Sequence, residues 1–156
     1  MINLGALYAN GQGVAQDYAK ARELYEKAAD KGDENAMTNL GLLYANSQGV
    51  AQDYAKAREL YERAADQSDE LANTMLKRLA ISVAAADGRY AEALQLSEAL
   101  AAEQEAVETE RKGKPGTDTA NSLDGVVWFA LMAGEYGKAL TVADRALRIL
   151  PDSLEI

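Results

Sequence analysis

The chain writes one stretch almost twice. Gly13–Asp30 reads GVAQDYAKARELYEKAAD and Gly49–Asp66 reads GVAQDYAKARELYERAAD, so the copies differ only at Lys27 and Arg63 and begin 36 residues apart. A fixed period of this size marks a repeat architecture, in which no unit can hide its apolar face alone and each hides it against the next. The same skeleton returns in looser form. Asp-Tyr-Ala-Lys-Ala at Asp17–Ala21 and Asp53–Ala57 becomes Arg-Tyr-Ala-Glu-Ala at Arg89–Ala93 and Glu-Tyr-Gly-Lys-Ala at Glu135–Ala139. The marker tyrosines Tyr18, Tyr54, Tyr90 and Tyr136 are spaced 36, 36 and 46 residues apart, so four units are visible, with a 10-residue insertion before the last.

The units are helical. Tyr18, Ala21, Leu24, Tyr25, Ala28 and Ala29 recur at steps of three or four, which lays one apolar stripe along a helix. Asp17 stands before it as an N-cap and Gly32 suits the left-handed position that ends it. Glu23 with Lys27 and Glu59 with Arg63 are spaced for ion pairs on the outer face. In the second unit the partner helix follows the Asp33 cap through Ala36, Leu40, Leu43 and Tyr44, with Gly41 inside it. A glycine there costs about 1 kcal/mol of helix propensity relative to alanine, so Gly41, and Gly5 in the same place, mark a close helix–helix approach. Ala64 and Ala65 are the expected small partners. The connections Asn10–Val14 and Asn46–Val50 are too short for anything but antiparallel hairpins.

The expected fold is therefore all-α: a right-handed α-α superhelix of about four antiparallel helix pairs. Residues 1–156 read as one repeat domain, divided into units 1–32, 33–68 and 69–112, a linker at 113–118 and a last unit at 119–150. Aligning Leu4-Gly5-Ala6-Leu7-Tyr8 with Leu40-Gly41-Leu42-Leu43-Tyr44 sets Met1 opposite Met37, so the first pair is shortened at its N-terminus. The third unit turns at Asp87-Gly88 and the fourth at Gly134-Glu135. The second helix of the third unit runs to about Lys112, where Gly113-Lys114-Pro115-Gly116 must break it, leaving the most mobile internal segment there. The helix at 119–133 is apolar nearly all round and is expected to be buried, Trp128 included; all eight tyrosines are expected in the core.

Composition removes several functions. With no histidine and no cysteine, His-based catalysis, His or Cys metal ligation and disulfides are all unavailable. The serines lack a plausible base, and the carboxylates alternate with Lys and Arg at helical surface spacing, so no catalytic residue, cofactor or metal site is expected. Net charge is −9, unlike the basic footprint of a nucleic-acid binder. By segment it is −3 over 1–66, −6 over 67–110 and zero over 111–156. The acidic middle, with Glu103, Glu105, Glu108 and Glu110, reads as a solvated helix face ahead of a dock for a basic partner. No apolar run is long enough to span a bilayer, and no signal peptide follows Met1, which favours the cytoplasm with the native start left open.

The first two units resemble Sel1-like repeats, whose pattern is Leu-Gly-x-x-Tyr followed by Gly-x-Gly-Val-x-x-Asp-Tyr-x-Lys-Ala-x-x-x-Tyr-x-x-Ala-Ala. Leu4, Gly5, Tyr8, Gly13, Val14, Asp17, Tyr18, Lys20, Ala21, Tyr25, Ala28, Ala29 and Gly32 fill it; the second unit departs at Ser47 and Ser68, where glycine is usual. The last two units resemble tetratricopeptide repeats through Gly134, Tyr136, Ala139, Ala146 and Pro151, although Val126 and Val127 stand where Leu and Gly belong.

The resemblance implies a protein-binding scaffold whose first helices line the concave surface that receives a peptide or protein segment. On this chain the matching positions are Asn3, Asn39, Leu42, Asn46, Arg78 and Trp128. An asparagine amide offers both a donor and an acceptor to a bound backbone, while Asn10 and Asn46 also suit the C-terminal end of a helix. Trp128 has a second reading, as a binding anchor. Two alternatives stand beside the scaffold: a regulatory or positioning segment of a larger protein, such as a caspase-like peptidase, or a homotypic assembly module acting through uncapped ends. The apolar residues of the first helix and Leu140, Leu147 and Leu150 of the last are those ends.

Overall fold

The computed structural model describes residues 1–67, 69–115 and 117–149, and among these it holds eight helices and no strand: α1 (Ile2–Asn10), α2 (Tyr18–Ala29), α3 (Glu34–Ala45), α4 (Tyr54–Ala65), α5 (Glu70–Ala86), α6 (Tyr90–Lys112), α7 (Thr117–Met132) and α8 (Tyr136–Ile149). Ser68, Gly116, Leu150 and Pro151 lie outside the described residues, as does any exposure of Leu150. The chain packs as two compact units, Met1–Leu79 and a second from Ala80 onward, each with its own apolar core.

In the first unit the repeated sequence produces repeated bonds. Asp17 Oδ1 accepts from the Lys20 N–H at 3.0 Å and Asp53 Oδ1 accepts from the Lys56 N–H at 2.9 Å, capping α2 and α4. Asp33 Oδ1 does the same for the Ala36 N–H at 3.0 Å. The Asp17 N–H donates to the Tyr8 carbonyl at 2.9 Å and the Asp53 N–H to the Tyr44 carbonyl at 3.1 Å, tying each second helix to the end of its first. The loop sequence closes the hairpin a second time: Gln16 Nε2 donates to the Ala9 carbonyl at 2.7 Å, and Gln52 Nε2 to the Ala45 carbonyl at 2.9 Å. These glutamines satisfy carbonyls that the helix end leaves open. The core of α2 and α3 is Ala21, Tyr25, Ala28, Ala29, Met37, Leu40 and Leu43, all buried.

Gly41 sits where a side chain would collide with a neighbour. A Cβ there would stand 2.5 Å from Tyr61 Cε1, and one at Gly5 would stand 2.6 Å from Tyr25 Cε1. The close approach is real, and the atoms nearest each missing Cβ belong to a tyrosine ring of the second helix. The helix-end position differs between copies. Gly11 takes a left-handed φ of 67°, and Ser47 in the second copy takes φ 57° without being glycine. Ser47 Oγ donates to the Val50 carbonyl at 3.2 Å, which anchors the turn it strains. On the outer face of α2 the ion pair joins Arg22 Nε to Glu26 at 3.5 Å, one residue away from the Glu23–Lys27 pair that spacing favoured.

The second unit packs α6 against α7 and α7 against α8 around Leu94, Ala101, Leu123, Val126, Ala130 and Ala139. Two expectations fail here. Helix α7 is not buried all round: Leu123, Val126 and Ala130 face the core, while Trp128, Leu131 and Met132 are about half exposed. Tyr136 is 70 % exposed, unlike the other tyrosines. Tyr18 shows why: the turn of the following unit covers it, with Gly49 against its Cβ and Gln48 Nε2 donating to its hydroxyl at 3.3 Å. No such turn stands over Tyr136 among the described residues.

The acidic run on α6 is also only partly a solvated face. Glu108 is 3 % exposed. Its Oε2 accepts from the Thr119 N–H at 3.0 Å and the Thr119 hydroxyl at 2.7 Å, and Lys112 Nζ lies 3.2 Å from Oε1. A side chain of α6 therefore caps the first turn of α7. Glu105 pairs with Arg145 of α8.

Candidate functional site

The six candidate positions divide between the two units: Asn3, Asn39, Leu42, Asn46 and Arg78 belong to the first and Trp128 to the second. On α3, Ala36, Met37, Leu40, Gly41 and Leu43 are drawn into the core, which leaves Asn39 partly accessible and Asn46 exposed, seven residues apart. On α1, Asn3 and Asn10 repeat that spacing and both are exposed. The 36-residue period thus places an amide at the same helical position on successive first helices.

Leu42 is half-buried and packs against the cluster of Ala57, Tyr61 and Leu79, so it supports the surface more than it presents one. Asn46 ends α3, its backbone N–H donating to the Leu42 carbonyl at 3.0 Å. Arg78 is an exposed position of α5.

Aromatic–cation contacts flank these positions at matching points of the two repeats. Lys20 Nζ lies 5.2 Å from the centre of the Tyr8 ring and Lys56 Nζ lies 4.5 Å from that of Tyr44. Contact with Tyr44 raises the Lys56 pKa above its ordinary 10.5, and neighbouring Glu26 and Asp53 add to the shift. These lysines were legible as repeat positions, but the ring contact depends on how the two helices of a pair meet.

Between α2 and α4 lies a shallow depression of about 170 Å³, floored by Leu40 and Leu60. Its rim mixes the carboxylates Glu26, Asp30 and Glu59 with Lys56 and Arg63. Among the described residues no group of three or more acidic side chains is placed to hold a metal ion, and no helix is long and apolar enough to cross a membrane.

Trp128 of α7 is 49 % exposed. Its ring meets Tyr90 edge-on at 6.0 Å and 75°, and Phe129 at 4.9 Å and 84°. Such edge-to-face contacts orient a ring without covering it. Leu131 and Met132, one turn along the same helix, extend the apolar surface beside it.

The Sel1 repeat family model matches residues 1–33 and 35–69. No curated protein matches. A Sel1 repeat protein from Oxalobacter formigenes has a similar structure, with a TM-score of 0.51 at 26 % identity, covering 94 % of this chain and 70 % of that one. A protective antigen present in uropathogenic Escherichia coli strains, displaying an SLR fold, matches with a TM-score of 0.52 at 22 % identity, covering 94 % of this chain and 37 % of that one. Sel1 repeats are generally protein–protein interaction modules and typically non-catalytic scaffolds. The paired helices, the 36-residue bond pattern and these matches agree: residues 1–33 and 35–69 are Sel1 repeats, and the chain folds as a helical repeat array similar to those of Sel1 repeat proteins.

Proposed function

We propose that this chain is a non-catalytic scaffold that binds a peptide or protein segment on the surface of its first helices. The observation that carries the reading is the repeated amide. Asn39 and Asn46 stay accessible on α3 while its other face is buried, and Asn3 and Asn10 stand at the corresponding places on α1. An amide side chain donates and accepts at once, which suits the alternating N–H and C=O groups of an extended backbone. In the second unit Trp128 is the complementary feature, a large apolar side chain held in one orientation by Tyr90 and Phe129.

Panning a displayed peptide library against the whole chain tests this. Selected peptides should bind saturably, and the double variant Asn39→Ala/Asn46→Ala should weaken them about tenfold or more, about 1.4 kcal/mol. Circular dichroism of the variant should match wild type, since both side chains lie outside the core. Peptides that bind the variant as tightly as wild type would remove the amide surface from the reading and leave Trp128→Ala as the comparison that matters.

A further inference from the structure

The candidate positions of α3 recur on α7 with different chemistry. Asn39, Leu42 and Asn46 step forward by 36 residues to Met75, Arg78 and Ser82 of α5, and by a further 46 to Asn121, Asp124 and Trp128 of α7. Those steps are the spacings of the marker tyrosines Tyr54, Tyr90 and Tyr136, so the three residues of α7 hold the repeat places of the amide surface. These places stay open inside a run of repeats: α4 and α5 follow α3 in the chain, and Asn39 and Asn46 remain accessible all the same. On α7, Asn121, Asp124 and Trp128 are all exposed.

Where α3 offers amide, leucine and amide, α7 offers amide, carboxylate and indole. Asp124 and Trp128 are four residues apart on one helix, so their side chains are neighbours on one face. The ring contacts of Trp128 are edge-on and neutral, with Tyr90 and Phe129. The arginine next to Tyr90 is already taken: Arg89 pairs with Asp87 and Glu92. Among the described residues Asp124 pairs with no cation. An indole attracts a cation more strongly than any other side-chain ring, and a carboxylate beside it adds an ion pair. The chain builds this arrangement once from its own residues. Lys20 Nζ lies 5.2 Å from the centre of the Tyr8 ring and 3.4 Å from Asp17 Oδ2. On α7 the ring and the carboxylate are present and the cation is not.

We propose that Asp124 and Trp128 hold a lysine or arginine side chain of the bound segment, its cation against the indole and beside the carboxylate, while Asn121 meets its backbone. The assignment rests on the reading of the first-helix surface given above and adds the chemistry of the partner, a segment that carries a basic residue. A net charge of −9 draws such a segment towards the chain.

Peptides panned from a displayed library against the whole chain are the probes, with circular dichroism checking that each variant is folded. The selected peptides should share a lysine or arginine at one position. Replacing it with norleucine or citrulline, which are uncharged, should weaken binding about tenfold. Asp124→Asn should weaken the basic peptide about threefold and leave the neutral one as it was, because the carboxylate acts only through the cation. Asp124→Ser should do the same. Trp128 is the only tryptophan, so its emission should change on binding. Saturable binders without a basic residue overturn the proposal and leave the amide surface standing. Basic peptides that are indifferent to Asp124→Asn, or that leave the Trp128 emission unchanged, overturn it as well. If no saturable binder is selected, the amide surface and this assignment fall together.

Discussion

At the scale of single residues, the most informative position is Gly41. Alanine would recover about 1 kcal/mol of helix propensity, yet its methyl would stand 2.5 Å from the Tyr61 ring. Tyr61 is 1 % exposed and has nowhere to move. Overpacking of this kind costs about 1–3 kcal/mol, so after the helix gain Gly41→Ala should lower stability by up to about 2 kcal/mol in urea unfolding rather than raise it. The same burial pushes the Tyr61 hydroxyl pKa from 10.0 up to about 12. The neutral phenol is the form the fold favours. Its contribution is complete below pH 10 and is lost as pH rises from there through about 12. Melting temperatures measured across that window should fall more steeply for wild type than for Tyr61→Phe, which has no proton to lose.

At the scale of elements, α6 and α7 are joined by a side chain rather than by their connection alone. Glu108 takes both the N–H and the hydroxyl of Thr119. Removing the carboxylate would leave two buried donors unpaired, at a cost of about 3 kcal/mol. Glu108→Ala should therefore shift the urea midpoint strongly, and Glu108→Gln, which keeps one acceptor, should shift it less. In the sequence Glu108 was one acid among several with helical surface spacing. Its burial depends on where the start of α7 arrives, which no spacing within α6 encodes. The same holds for Gln16 and Gln52: the repeat shows them to be equivalent, but their bonds to Ala9 and Ala45 exist only once the hairpin has closed.

At the scale of the whole molecule, the chain divides at Leu79 and Ala80 into two units with separate cores. Repeat stability is approximately a sum of local units and their nearest neighbours. A lesion in one core should then register there first. Native-state hydrogen exchange on Gly41→Ala should show faster exchange in α3 and α4, with α7 close to wild type. Uniform loss of protection across all helices would mean that the two units open together.

The sequence by itself determined the helical class, the pairing of helices and the caps. Those depend on local spacing: an apolar residue every third or fourth position, Asp before the first turn, glycine at a left-handed φ. The near-identity of two copies then showed which residues are equivalent. What only the tertiary structure decided is which equivalent residues differ in surroundings. Leu4 and Leu40 are the same residue in the same repeat position, yet one is exposed and the other buried. Tyr18 and Tyr136 also share a repeat position, yet the first is half-buried and the second exposed. Trp128 lies on an apolar helix and still faces outward, because α7 presents only one side to α6 and α8. A helical period places a side chain on a face, and burial requires a neighbour to cover that face.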